Sequence, residues 1–232
     1  MKILALDTST EACSAAVYAD KQVYAQFALT PREHTRLILP MVEKVLGDAG
    51  LRLQDVDAIA VGRGPGAFTG IRIGVGVAQG LAMAADKPIL PVSTLAALAQ
   101  QAYVQQGATQ VLAALDARMQ EVYWGQYSLK DGIMQLQDEE QVCAPANTPI
   151  PESSAWFASG HGWSAYAEVL QGRFADKLSG IDTAALPNAE FMLPLAIADW
   201  QAGKAVPPED AQPVYLRNKI ALTVQEQRNN KA

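Results

Sequence analysis

The chain has 232 residues, half of them hydrophobic and only 18% charged, which excludes a disordered protein and leaves room for one domain or two. Eighteen Lys and Arg against 24 Asp and Glu give a net charge of -6. That balance argues against a protein that grips nucleic acid by itself, because phosphate binding draws on clustered Lys and Arg. With only His34 and His161, and with Cys13 and Cys143 outside any C-x-x-C, a His-rich zinc site is excluded and Ser-His-Asp chemistry has two candidate bases.

The amino terminus meets Asp7 after a short apolar run, too short for a secretory signal, and the uncharged stretch from Ile73 to Ala85 is shorter than a bilayer span. A cytoplasmic protein with reduced thiols and no membrane contact is expected.

In chain order, Ile3 to Leu6 reads as a buried strand ending at Asp7-Thr8-Ser9-Thr10. Ala12 to Tyr18 and Gln22 to Leu29 follow as strands about an Asp20-Lys21 turn. Thr30-Pro31-Arg32-Glu33 has the form of a capping box for a helix running to about Ala49, with Pro40 inside it as a kink. Val56 to Val61 is strand-like and leads through a glycine-rich stretch into an apolar helix from Ile71 to Ala85. Lys87 to Val92 is a strand, and Ser93 or Thr94 can cap a helix to Gln106.

The pattern then restarts. Val111 to Asp116 echoes Ile3 to Asp7, and Glu121 to Leu129 with the turn Lys130-Asp131-Gly132 echoes the first hairpin. Trp156 to Ser159 is a strand ending at Gly160-His161-Gly162. Helices are expected from Trp163 to about Leu170 and from Ala189 to Ala202, and a polar tail from Gln225. Two copies of a β-β-β-α-β-α-β-α unit predict an α/β chain with two lobes, residues 1–107 and 108–232. This resembles the duplicated ribonuclease-H-like fold of actin, hexokinase and the heat-shock ATPases (the ASKHA fold), in which a phosphate sits between the lobes.

Each motif has two readings. Asp7, Thr8 and Ser9 at a strand end either face a nucleotide phosphate or close a hairpin through an Asx-type turn. Asp116 is its echo, and two facing carboxylates could hold a hydrated Mg²⁺. Gly62-Arg63-Gly64-Pro65-Gly66-Ala67 matches G-x-G-x-x-G/A, but no acidic residue closes the next strand and Pro65 removes an amide, which argues against a dinucleotide site. Gly160 and Gly162 either bring amides to a phosphate or form a plain turn. His34 reads as a neutral hydrogen-bonding residue, since a helix N-terminus disfavours imidazolium. The apolar helix stands out. Its stripe Arg72, Val75, Gly76, Gln79 and Met83 carries only two polar side chains, where a helix covering one side of a sheet should expose a polar face. A protein partner is the favoured cover, and Gly70, Gly74, Gly76 and Gly80 would let another helix come close.

Four stretches carry a resemblance: Ile3 to Thr10, Pro31-Arg32-Glu33-His34-Thr35, Gly62 to Arg72, and Pro213-Val214-Tyr215-Leu216-Arg217. Together they resemble the TsaB family, formerly YeaZ, over essentially the whole chain. The resemblance implies a role in forming threonylcarbamoyladenosine at position 37 of tRNAs that read codons starting with A. It implies a catalytically silent relative of the transferase subunit TsaD that binds TsaD and, through that complex, the ATPase TsaE, leaving tRNA mainly to its partners. The two histidines of the TsaD metal motif fall on Thr94 and Leu98 here, so no catalytic or metal residues are expected. The implied interface is a bundle of the first two helices, assigned to Arg36, Pro40, Glu43, Arg72, Val75, Gly76, Gln79 and Met83, and the chain alone would form homodimers through it. No cofactor is required, with ATP or ADP at the partner boundary as the one candidate. The alternative class is an enzyme, either a sugar-kinase-like phosphotransferase or a glycopeptidase.

Overall fold

A computed structural model describes residues 1–217, so the tail expected from Gln225 lies outside the described residues. Three antiparallel strands open the chain: Ile3–Asp7 (β1), Ala12–Ala19 (β2) and Gln22–Leu29 (β3). Asp20 and Lys21 between β2 and β3 take φ of 50° and 66°, the left-handed pair that matches the twist of a two-residue hairpin. His34–Asp48 (α1), Ala58–Gly64 (β4), Phe68–Ala85 (α2), Ile89–Ser93 (β5) and Thr94–Gln106 (α3) complete the first repeat. Its sheet has the order β3-β2-β1-β4-β5, with β4 parallel to β1 and β5 parallel to β4. Ser93 caps α3 by accepting from the Ala96 amide.

The second repeat holds Gln110–Arg118 (β6), Glu121–Lys130 (β7), Ile133–Leu136 (β8), Gln141–Cys143 (β9), Trp156–Ser159 (β10), Gly162–Ala165 (α4), Ala167–Phe174 (α5), Leu178–Asp182 (β11) and Ala189–Gln201 (α6). Its sheet order, β8-β7-β6-β10-β11, repeats the first with the same strand directions, and β9 also pairs with β7. The chain therefore has the duplicated actin-like α/β fold, one sheet per lobe.

The last helix of each repeat covers the other repeat's sheet. Leu95, Leu98 and Ala102 of α3 pack on Val111, Ala113 and Leu115 of β6, while Met192, Leu193 and Ala196 of α6 pack on Ile3, Ala5 and Ala60 of the first sheet. The two helices also touch each other. Each buried Leu or Met adds about 1.5–3 kcal/mol, so this exchange is what joins the lobes most strongly.

Several local expectations are corrected. The capping box is not formed: Arg32 lies at φ 71°, which takes Pro31 out of the helix, and α1 starts at His34 behind Glu33 with no side-chain cap. Pro40 does lie inside α1, as expected, and leaves the Arg36 carbonyl without its intrahelical donor. The expected helix from Trp163 to Leu170 is two pieces that break at Tyr166, and β11 was not foreseen. Helix α2 begins three residues earlier than expected. Its 18 residues are long and apolar enough for a membrane span by length and composition, yet it buries Ile71, Val75, Ala78 and Ala82 in the core of lobe 1.

Candidate functional site

The turn after β1 faces inward. The Asp7 Oδ1 accepts from the Ser9 amide at 3.0 Å and the Ser9 hydroxyl at 2.8 Å, and its Oδ2 is buried without a partner. Burial pushes the Asp7 carboxyl up to about 6, against the pull of the Ser9 hydrogen bonds and of His34. Only 1% of Asp7 is exposed, and Thr8 is equally buried, its hydroxyl donating to the Gly70 carbonyl at 2.7 Å.

The glycine-rich stretch packs directly on this turn. A Cβ at Gly62, Gly66 or Gly70 would lie 1.8 Å from Asp7 Oδ2, 2.3 Å from the Ser9 carbonyl and 2.1 Å from the Thr8 carbonyl. The Ala67 amide donates to the Ser9 carbonyl at 2.7 Å. These glycines let the stretch pack closely against the turn.

Between the lobes lies a cleft of about 690 Å³, walled by Ser9, Phe68 and Ile71 on one side and by Leu115, Asp116 and His161 on the other. Asp116 accepts from the Tyr166 hydroxyl at 2.9 Å and from the Arg118 amide at 2.8 Å, and pairs with the Arg118 guanidinium at 2.9 Å. Burial and then Asp116 push the Tyr166 hydroxyl up to about 12. Asp7 is sealed inside its lobe and Asp116 is paired with Arg118 and Tyr166, so the two aspartates do not face each other across the cleft.

Gly160 and Gly162, the other expected phosphate contacts, are also packed inward. A Cβ at Gly160 would lie 2.3 Å from the Ala114 carbonyl, and its amide donates to Asp182 at 2.9 Å. Of the six residues expected to hold a nucleotide, only Ser9 and Asp116 reach the cleft.

His34 Nε2 lies 2.8 Å from the Thr10 carbonyl, which can only accept, so this nitrogen carries the proton. His161 borders the cleft with Nδ1 buried and unpartnered. Burial holds its imidazole below the usual range, opposed by Glu11 and Asp116. Thr94 and Leu98 are buried in α3, and the Thr94 hydroxyl bonds the Pro65 carbonyl. Among the described residues, no three His, Cys, Asp or Glu side chains gather in a metal-binding group.

The second candidate surface is the outside of α1 and α2. Here the expected stripe divides. Val75 is 4% exposed and belongs to the core. Gln79 donates to the Pro208 and Ala211 carbonyls at 3.0 and 3.1 Å, and Arg72 donates to the Tyr215 hydroxyl at 2.8 Å while lying 3.8 Å over the Phe68 ring. Both polar side chains of the stripe are thus engaged by the chain's own carboxyl-terminal segment, a cover the local sequence pattern gave no sign of.

Gly76 and Met83 remain open, with Met83 71% exposed. The four glycines also divide. A Cβ at Gly70 or Gly74 would strike Thr8, whereas Gly76 and Gly80 have nothing within 4 Å. On α1, Arg36, Pro40 and Glu43 are exposed beside Leu39 at 45%, and Arg36 pairs with Glu33 at 2.9 Å.

Two sheets of one topology, exchanged helices and an interlobe cleft define a protein of the actin-like (ASKHA) class. The family model for TsaD, tRNA N6-adenosine threonylcarbamoyltransferase, matches residues 16–228. The chain is 48% identical to the tRNA threonylcarbamoyladenosine biosynthesis protein TsaB of Escherichia coli (strain K12), over 95% of this chain and 96% of the relative. It is 43% identical to the protein of the same name in Haemophilus influenzae, over 95% of each. The structure of YeaZ from Pseudomonas aeruginosa superposes with a TM-score of 0.85 at 47% identity, covering 93% of this chain and 99% of that one. The chain belongs to the TsaB (YeaZ) family.

Proposed function

We propose that this chain is an accessory subunit, without catalysis of its own, of the machinery that forms threonylcarbamoyladenosine at position 37 of tRNAs reading codons that start with A. It docks on TsaD through the outer face of α1 and α2, meets TsaE through that complex, and pairs with a second copy through the same face when alone. It works in the cytoplasm, and its net charge of -6 suits a subunit that leaves tRNA to its partners. An adenine nucleotide, where one takes part, is held at the boundary with TsaD, a reading supported by the burial of Asp7 and Thr8 at the end of β1.

One observation carries this reading. Gly76 and Gly80 lie on α2 with no heavy atom of the chain within 4 Å of a Cβ. Two interior helix glycines cost about 1 kcal/mol each against Ala, a cost balanced where another helix must approach closely. The test is capture of TsaD by the Gly76→Glu variant. Loss of capture with a melting curve no lower than that of the wild type is expected, and full capture would overturn the docking face. The isolated chain should hydrolyse no ATP, and steady turnover would overturn the silent assignment.

A further inference from the structure

The docking face leaves the segment from Val206 to Arg217 unexplained. Its hold on lobe 1 is broad. Val206 exchanges both backbone hydrogen bonds with Ile89 at 2.8 Å, Gln79 grips the Pro208 and Ala211 carbonyls, and the Val214 amide donates to the Arg63 carbonyl at 2.8 Å. Tyr215 then joins Arg72 and Phe68, with 5.5 Å between the two rings.

Among the described residues, its hydrogen bonds to lobe 2 come from one side chain. The Arg217 guanidinium donates to the Glu121 carboxylate from Nε at 3.0 Å and from a terminal nitrogen, and to the Ala117 and Arg118 carbonyls at 3.1 and 3.3 Å. Val214, Tyr215 and Arg217 all line the interlobe cleft. A second polar tie between the lobes is separate: Glu140 pairs with Arg63 at 3.6 Å and accepts from Tyr127 at 2.6 Å and from Ser93.

We propose that residues 206–217 are a latch, fixed on lobe 1 and closed onto lobe 2 by Arg217, and that the Arg217–Glu121 pair sets how far the cleft opens. Gln100 ties α3 to β8 and Ser14 caps the start of α6, but the two exchanged helices meet one another through apolar packing, which tolerates small sliding. Both guanidinium nitrogens converge on one Glu121 oxygen while the terminal one also reaches two backbone carbonyls, and such a set of directional bonds holds one geometry. A latch with one detachable end therefore restrains a motion that the packing alone leaves available. The inference stands whether or not α1 and α2 dock on TsaD.

The experiment measures interlobe distance in the full chain by pulsed electron paramagnetic resonance. Spin labels go on Gln22→Cys of β3 and Glu168→Cys of α5, both exposed, with Cys143→Ser and the buried Cys13 left in place, and the labelled chain is diluted in unlabelled chain so that only distances within one copy are read. Arg217→Ala should lengthen and broaden the distance distribution, and Arg217→Lys, which keeps the charge but not the guanidinium, should do so less. Should Arg217→Ala melt early, Glu121→Gln breaks the same pair from the other side and is read instead. An unshifted distribution in the folded variants would overturn the latch. So would an equal shift in Glu140→Gln, because the tie at Glu140 would then set the spacing.

Discussion

Helix α2, between β4 and β5, and the α4–α5 pair, between β10 and β11, fill the same place in the two repeats, and they solve the problem of covering a sheet differently. In lobe 2 the helix breaks at Tyr166 into four and eight residues, and its inner side carries Trp163, Leu170 and Phe174. These form one cluster with Trp124, the three rings standing 5.2–5.6 Å apart, and the Trp163 Nε1 donates to the Leu112 carbonyl at 3.0 Å. In lobe 1 the helix is unbroken and built of small residues. Gly70 and Gly74 bring it against Thr8, and Gly76 and Gly80 point away from everything in the chain. Bulk closes the cover in lobe 2, whereas smallness in lobe 1 leaves a surface that a second helix can reach.

Substitutions on the two helices can break or sharpen this contrast. The largest effect is expected for Val75→Glu, which puts an unpaired charge in the core and should cost about 3–5 kcal/mol in urea unfolding. Gly76→Glu, one residue on, should cost nothing and gain up to about 0.5 kcal/mol from the loss of a helix-interior glycine.

Trp163→Ala should cost about 3–5 kcal/mol, because it empties the aromatic cluster of lobe 2. Met83→Ala on the open face of α2 should stay within about 0.5 kcal/mol. A large loss at Met83 would mean that α2 is closed in the free chain.

Asp7 ranks next. Its carboxyl rises from 3.8 to about 6 on folding, so the folded state binds the proton more tightly. The stability from this group is fully present below about pH 3.8 and is lost as pH rises through about 6, a change of about 3 kcal/mol. Asp7→Asn should therefore gain on the wild type as pH rises through this window, seen as the difference between their stability–pH curves. Parallel curves would place the carboxylate in a solvated site.

The smallest effects compare glycines of one helix. Gly74→Ala brings a Cβ to 2.7 Å from the Thr8 hydroxyl and should cost about 1–3 kcal/mol by overpacking. Gly80→Ala meets open space and should stabilise by about 0.5–1 kcal/mol. Equal effects at the two positions would erase the division between the inner and outer sides of α2.

Much of the fold was legible because alternation and apolar runs are local properties. The β2–β3 turn, the strand ending at Asp7 and its echo at Asp116 were all readable this way. The capping box failed despite its fitting residues, because Arg32 adopts a left-handed φ and His34 ties the helix start to Thr10. Strand β11 was hidden by its half-exposed, Gly180-containing sequence, which lacks the apolar run of a buried strand.

The candidate site was less legible. The outer stripe of α2 could be found by its want of polar residues, but the periodicity could not tell Gly76 from Val75, which are neighbours on the helix. The Pro213–Arg217 stretch carried resemblance without a visible role. Glu140 gave no signal, since its partners come from three separate elements.

By itself the sequence determined the order of the elements, their duplication and the excess of apolar and small residues on one helix, because each follows from the identity of residues a few positions apart. Tertiary structure alone decided that Asp7 is sealed, that α3 and α6 trade sheets, and that Arg72 and Gln79 are claimed by the chain's own end. Those outcomes rest on contacts such as that between Arg72 and Tyr215, 143 residues apart. No local period encodes such a pair, and only the packed sheets bring its members within reach.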